Sequence, residues 1–192
     1  MIYSIKGPVT AVSENFAVVE VGGLGLKVFM SERGLKALPR GAETALFCHL
    51  HVREDALDLY GFRSAEELEF FELLVAISGV GPKSALAVLD VAELAELGAA
   101  IQEGRPDLLT KASGIGRKTA ERIVLELKGK IRIGGAEEMV KKMEGDSDLV
   151  ETLVGLGYRR DQAKSALEKV KKEVVGLEAR LREALKILGS RK

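Results

Sequence analysis

Two eight-residue stretches hold the residue types best suited to chemistry in this chain. Ser78-Gly79-Val80-Gly81-Pro82-Lys83-Ser84-Ala85 returns as Ser113-Gly114-Ile115-Gly116-Arg117-Lys118-Thr119-Ala120, with Gly114 lying 35 residues beyond Gly79. The match extends outward, from Leu73-Leu74 to Leu108-Leu109 and from Val88-Leu89 to Ile123-Val124. An apolar helix, a Gly-apolar-Gly turn and a second apolar helix make a helix-hairpin-helix unit, present here in two copies. Glycine permits positive φ and close approach of the backbone to another surface. The apolar residue between the glycines, Val80 or Ile115, is placed to plug the gap between the two helices. The hairpin N–H groups and the N-terminus of the following helix then point outward, and such a surface binds phosphate. Pro82 suits a first helical position, where its missing N–H costs nothing. Lys83, Arg117, Lys118 and Arg122 add positive charge, and Ser84 and Thr119 add hydroxyls beside the same groups. Backbone groups that contact phosphates carry no base information, so the implied binding is to nucleic acid without sequence preference. The competing interpretation, two tight turns used only for packing, is disfavoured by the second copy with its matching Lys, Ser/Thr and Ala.

Other patterns carry less. Gly81-Pro82-Lys83-Ser84 and Gly116-Arg117-Lys118-Thr119 resemble the tail of a P-loop. A residue separates Gly from Lys, however, and a helix rather than a strand precedes, so no nucleotide site is expected. Gly22-Gly23-Leu24-Gly25 lacks dinucleotide-fingerprint spacing and is a β-turn. His49 and His51 share one strand face. No further His or Cys cluster completes a metal site, so a solvated face is expected. Glu54 and Asp55 fall at the tip of a hairpin; an exposed acidic turn is the plain interpretation, and a catalytic or metal-binding pair the alternative. No catalytic residue and no cofactor is expected.

These residues need elements to position them. The first 62 residues alternate short β-branched runs with turn signals, giving candidate strands Ile2–Lys6, Val9–Ser13, Phe16–Val21, Leu24–Met30, Thr44–Val52 and Leu57–Tyr60. Gly7-Pro8 is among the expected breaks. Short strands at this spacing suggest a small closed barrel of the OB type over 1–62. Residues 63–132 switch to helical period. Ser64 caps with Glu67 three residues on, and further helices fall near Ser84–Leu89, Val91–Glu103, Pro106–Lys111 and Lys118–Lys128. Residues 133–147 read as a flexible linker, with a single short helix over 136–143 as the alternative, and 148–192 as a three-helix bundle. There Leu149, Leu153, Val154 and Leu156 line one helix, Gly157 ends it, Asp161 caps the second, and Leu177, Leu181, Leu185 and Leu188 line the third. The expected fold is thus multidomain α+β.

Net charge over the 192 residues is zero, but Glu103 to Arg132 holds eight Lys/Arg against four acids. Local distribution matters more than the sum for a charged partner. A single cysteine, Cys48, excludes an intrachain disulfide and fits a reducing compartment. No basic leader with an apolar core opens the chain, and no apolar run approaches the ~18–20 residues of a membrane span. The expected location is the cytoplasm.

Arg53-Glu54-Asp55 leading into Leu59-Tyr60-Gly61-Phe62, the paired hairpins, the linker and the terminal bundle together resemble the RuvA family over the whole chain. The resemblance implies the Holliday-junction-binding subunit of a branch-migration complex. It implies a homotetramer, able to pair as an octamer, whose basic face holds an open four-way DNA junction. By that resemblance Gly79, Gly81, Lys83, Gly114, Gly116, Lys118 and Arg122 contact phosphates. Glu54 and Asp55 become an acidic pin at the tetramer centre, which displaces the plain interpretation of that turn. The terminal bundle would dock a RuvB-type hexameric ATPase through the region of Leu156 and Tyr158. A RuvC-type junction endonuclease is a further implied partner.

Two other functions use the same hairpins. A base-excision glycosylase needs an Asp soon after the hairpin and a base-flipping pocket; Arg, Lys, Thr, Ala and Glu follow Gly116 instead. A targeting module of a repair nuclease would lack the acidic turn and the terminal bundle.

Overall fold

A computed structural model describes residues 1–131, 136–170, 174 and 177–189. They form two compact units, Met1–Ala136 and Glu137–Lys192.

The first unit opens with five strands, β1 (Ser4–Val12), β2 (Phe16–Val21), β3 (Leu24–Phe29), β4 (Glu43–Val52) and β5 (Leu57–Phe62). They close into a barrel in the order β1-β2-β3-β5-β4. Neighbours pair antiparallel except β3 with β5, which run parallel. Inward-facing Ile5, Val9, Ala17, Val19, Val28, Leu46, Cys48 and Leu59 fill it. Burial pushes the Cys48 thiol up to about 11, so it stays protonated. A one-turn helix, α1 (Glu32–Lys36), adds Leu35 to this core.

The two strands expected on either side of Gly7-Pro8 are one strand. β1 pairs with β4 from Ser4 to Pro8, then passes to β2 from Val9 to Val12 across a bulge. Pro8 has no N–H to donate, and it stands at the rung where β1 leaves β4, a place where proline is tolerated. Gly7 answers to space rather than to a turn: a Cβ there would lie 1.9 Å from the Glu20 carbonyl oxygen.

Four helices follow: α2 (Ala65–Val75), α3 (Pro82–Val91), α4 (Leu94–Gln102) and α5 (Arg117–Leu127). The Ser64 hydroxyl accepts from the Glu67 N–H at 3.2 Å, as the cap requires. The Glu67 carboxylate accepts from Arg63 N–H, one residue earlier than a capping box has it. The helix expected over Pro106–Lys111 is only a 3-10 turn, Leu109–Lys111. Gly104, at φ +70°, ends α4 just before it, and the Thr110 hydroxyl donates to the Asp107 carbonyl, holding a turn instead of a helix.

The barrel interior and the helical core are separate clusters, and Tyr60 and Phe62 of β5 belong to the helical one. Phe71 of α2 is fully buried between Tyr60 (ring centroids 5.3 Å apart) and Phe62 (4.8 Å) of β5. His49 and His51 stack on each other at this seam, with His49 Nδ1 3.0 Å from Glu72; both are half-buried, so the face expected to be solvated is partly covered. Asp90 of α3 accepts from the Glu32 and Arg33 N–H groups at the start of α1, at 3.1 and 3.0 Å.

The second unit contains α6 (Ala136–Gly155), α7 (Arg160–Glu168) and α8 (Leu177–Gly189). Leu149, Leu153, Ala163, Ala166, Leu167 and Ala184 are buried at its centre. Gly157 takes φ +93° and ends α6 as expected, with Tyr158 N–H donating to the Leu153 carbonyl. Asp161 is not the cap of α7. It lies inside the first turn, ion-paired to Arg159, whose N–H donates to the Gln162 side chain. Leu156 and Leu177 do not line the core; both are exposed. Of the expected linker, 133–135 lie outside the described residues, and 136–147 form the first part of α6. Ala, Glu, Met and Lys dominate there and are strong helix formers, so weak apolar patterning did not prevent a helix. Among the described residues no helix is long and apolar enough to cross a membrane.

Replacing Gly7 with Ala forces a methyl group into the Glu20 carbonyl, a backbone atom held in the β2–β3 ladder. We expect a loss of about 1–3 kcal/mol or more, read as a lower urea midpoint at unchanged slope. An unchanged midpoint would mean that β1 and β2 pass each other less closely.

Candidate nucleic-acid interface

The two hairpins have the same backbone. Gly79 and Gly114 take φ +90° and +80°, a conformation open to glycine and costly for other residues. Gly81 and Gly116 are the N-caps of α3 and α5, with φ −87° and −81°. Between the glycines, Val80 and Ile115 are each only 5% exposed and belong to the core of the first unit. Each plug's N–H donates back into the chain, Val80 to Ile77 and Ile115 to Ala112. The apolar plug expected from the sequence is therefore in place in both copies.

Around the plugs the surface is open. A Cβ at Gly79, Gly81 or Gly116 would meet nothing within 4 Å. The first helical N–H to find a carbonyl is that of Ala85 in α3 and of Ala120 in α5, bonded to Gly81 and Gly116. The N–H groups of Lys83, Ser84, Lys118 and Thr119 have no acceptor among the described residues. Each helix thus presents adjacent unused donors at its positive end, the arrangement that suits an anionic oxygen.

The hairpins also hold each other. Arg122 of α5 donates from Nη1 to the Ser78 carbonyl of the first hairpin at 2.9 Å. In the opposite direction, a Cβ on Gly114 would lie 2.7 Å from the Ser84 hydroxyl of α3. Glycine at 114 thus suits its φ, and a side chain there would also make the Ser84 hydroxyl shift. Neither brace was legible in the repeat, because Ser78 contributes a carbonyl, which every residue type has.

The cations divide by partner. Lys83 and Lys118 are exposed and make no ion pair among the described residues. Arg117 is clamped between Glu121 and Asp107. The hydrogen bond to Glu121, then the Asp107 charge, raise its pKa further above the usual guanidinium value. Glu121 lies one helical turn beyond Arg117 and was readable as a partner; Asp107 comes from the preceding loop and was not.

Glu54 and Asp55 lie at the exposed tip between β4 and β5, closed by the Arg53 N–H donating to the Ala56 carbonyl at 2.9 Å. Neither carboxylate has an ion-pair partner among the described residues, because Arg53 is turned back onto Asp58 at 3.0 Å. In the second unit Leu156 is 59% exposed, whereas Tyr158 packs partly against the core. Among the described residues no group of three or more His, Cys, Asp or Glu is arranged to hold a metal.

The Ser84–Gly114 contact can be tested by a double-mutant cycle on stability. Gly114→Ala should cost about 1–2 kcal/mol for the left-handed backbone, plus the clash with the Ser84 hydroxyl. Ser84→Ala should recover the second part only, leaving a coupling term of about 0.5 kcal/mol or more. Additive effects in thermal melts would dissolve this brace.

The family description "RuvA N terminal domain" matches residues 1–61, "SAM-like Helix-hairpin-helix tandem" 71–130, and "RuvA, C-terminal domain" 146–189. Curated relatives resemble the chain along almost its whole length. The Holliday junction branch migration complex subunit RuvA of Caldanaerobacter subterraneus subsp. tengcongensis is 40% identical over 98% of this chain and 99% of its own. The protein of the same name from Thermoanaerobacter sp. is 40% identical over the same shares. That from Dehalococcoides mccartyi is 41% identical over 87% of each chain. With its barrel, paired hairpins and terminal helices matched in order, the chain belongs to the RuvA family.

Proposed function

We propose that this chain binds four-way DNA junctions by shape and serves branch migration as the DNA-binding partner of a RuvB-type motor. The observation that carries the reading is the pair of braced hairpins, each presenting unused helix N–H groups and one free lysine at a solvent-open surface. These are phosphate-binding devices with no base-reading element. The name borne by relatives about 40% identical over nearly the full chain supports the junction as the DNA form and the motor as the partner. A glycosylase reading has less support. The first acid after the second hairpin is Glu121, and it is ion-paired to Arg117.

The finer assignments belong to the same proposal. Gly79, Val80, Gly81, Lys83 and Ser84 form one phosphate cradle, and Gly114, Ile115, Gly116, Lys118 and Thr119 the second. Arg117 and Arg122 stand at their edges, Arg122 also as a brace. Four copies, which pair as an octamer when a second tetramer covers the DNA, surround the crossing. Glu54 and Asp55 of each copy repel phosphates there and hold the duplexes apart. Two like charges 4 Å apart cost about 1 kcal/mol in bulk water, and more where water is partly excluded. The chain performs no catalysis of its own and takes no cofactor. ATP hydrolysis falls to the motor, docked through Leu156 and Tyr158. A RuvC-type junction endonuclease is a further partner, and the complex works in the cytoplasm.

The test is a gel-shift titration of a four-way junction and a linear duplex of the same sequence at several salt concentrations. We expect preference for the junction and a log–log salt slope on the order of −7, from eight hairpins in a tetramer each releasing about 0.9 counterion. Lys118→Glu should weaken binding to all junction sequences alike. Glu54→Gln with Asp55→Asn should tighten duplex binding and lower selectivity at low salt, where screening is least. Equal affinity for duplex and junction in the unaltered chain would refute the reading.

Motor docking has a separate test. Leu156→Asp should leave junction binding intact and remove stimulation of a RuvB-type ATPase, since the side chain is outside the core. Full stimulation by this variant would move the docking surface elsewhere.

A further inference from the structure

The rung that carries the acidic turn is apolar and open to solvent. Val52 and Leu57 face each other as the last cross-strand pair of β4 and β5, and they are 64% and 71% exposed. Successive strand residues alternate between faces. Val52 therefore continues the row of Leu46, Cys48 and Leu50, and Leu57 the row of Leu59, the rows that fill the barrel. β3 runs parallel to β5, with Val28 beside Leu59, so both strands start at the same end of the barrel. Leu24, the first residue of β3, continues the row of Leu26 and Val28 at that end and is 68% exposed. The Val52–Leu57 pair thus closes the β4–β5 ladder next to Glu54 and Asp55, with Leu24 exposed at the same end of the barrel.

The charges at this tip narrow what can sit on it. Arg53 is committed to Asp58, so the tip offers two unpaired carboxylates beside its aliphatic pair. Such a surface repels phosphate and attracts uncharged apolar faces. In DNA those faces belong to the bases. They are hidden by stacking in a continuous duplex and come into reach only where strands part. Proteins that stabilise opened base steps do so with aliphatic or aromatic side chains set against the exposed base.

We propose that Val52 and Leu57 form a binding surface for the faces of unstacked bases at the strand crossing. The inference rests on the junction-binding reading above and adds a second role to the same hairpin. The carboxylates keep the backbones away, and the aliphatic rung receives the bases those backbones carry. Base pairs at the crossing are then held open on the protein, which lowers the barrier to exchanging partners between duplexes.

The experiment uses the full chain and a four-way junction carrying 2-aminopurine next to the crossing, at protein concentrations that shift all of the junction. The unaltered chain should raise 2-aminopurine fluorescence, because unstacking relieves its quenching. Val52→Ser with Leu57→Ser should return the signal toward that of free junction while the junction remains fully shifted. Val52→Ile with Leu57→Met should keep the signal. Both positions are exposed, so thermal midpoints should hold; if the double serine variant unfolds, Leu57→Gln alone is read in the same way. A serine variant with undiminished signal overturns the proposal, and so does an unaltered chain that shifts the junction without raising fluorescence. A serine variant of altered native mass would also overturn it, by assigning the rung to contacts between copies. Failure of the unaltered chain to shift the junction would instead bring down the junction-binding reading itself.

Discussion

Two buried aliphatic side chains fix the hairpin surface from inside. Val80 and Ile115 are part of the same core as Phe71 and Leu109, yet each lies between two glycines, of which Gly79, Gly81 and Gly116 face open space. The chain must leave one helix, drop a side chain into the core and begin the next helix within a few residues. Only a left-handed residue makes that reversal, which is why Gly79 and Gly114 precede the plugs. Once the plug is seated, the next helix starts at a set position and its first N–H groups can only face out. The hairpin surface is consequently fixed by the core, although it consists largely of backbone.

The same core takes in part of β5. Tyr60 and Phe62 meet Phe71 at the seam, and Asp90 caps α1 from the far side of the helical segment. Barrel strands and hairpin helices therefore belong to one compact unit, Met1–Ala136. α2 packs against β4 and β5, and the turn that joins these two strands stays exposed beyond it.

Much of this was legible in the residues. The duplicated Gly-apolar-Gly stretch announced both hairpins, because the geometry demands glycine and leaves a mark in composition. Ser64 and Gly157 marked helix ends for the same kind of reason. What could not be read were features that depend on backbone atoms or on distant partners. The Ser78 carbonyl, Asp107 behind Arg117, and the Glu20 carbonyl against Gly7 leave no pattern in their own residue types. The first half of α6 was legible only as an alternative to a linker, because a helix without an apolar stripe looks, by periodicity, like one. His49 and His51 were placed on the correct strand face, but what covers that face, α2, comes from later in the chain.

The clamp on Arg117 bears on how much positive charge the second hairpin has to offer. Any anion reaching this guanidinium must take the place of Glu121 and Asp107, so the chain carries its own competitor for that cation. At physiological salt fields fade within about 8 Å, so what counts is the charge that stands free nearby, not the sum over the chain. A count of Lys and Arg in this segment therefore overstates its pull on an anion, and Lys118 supplies the unopposed part.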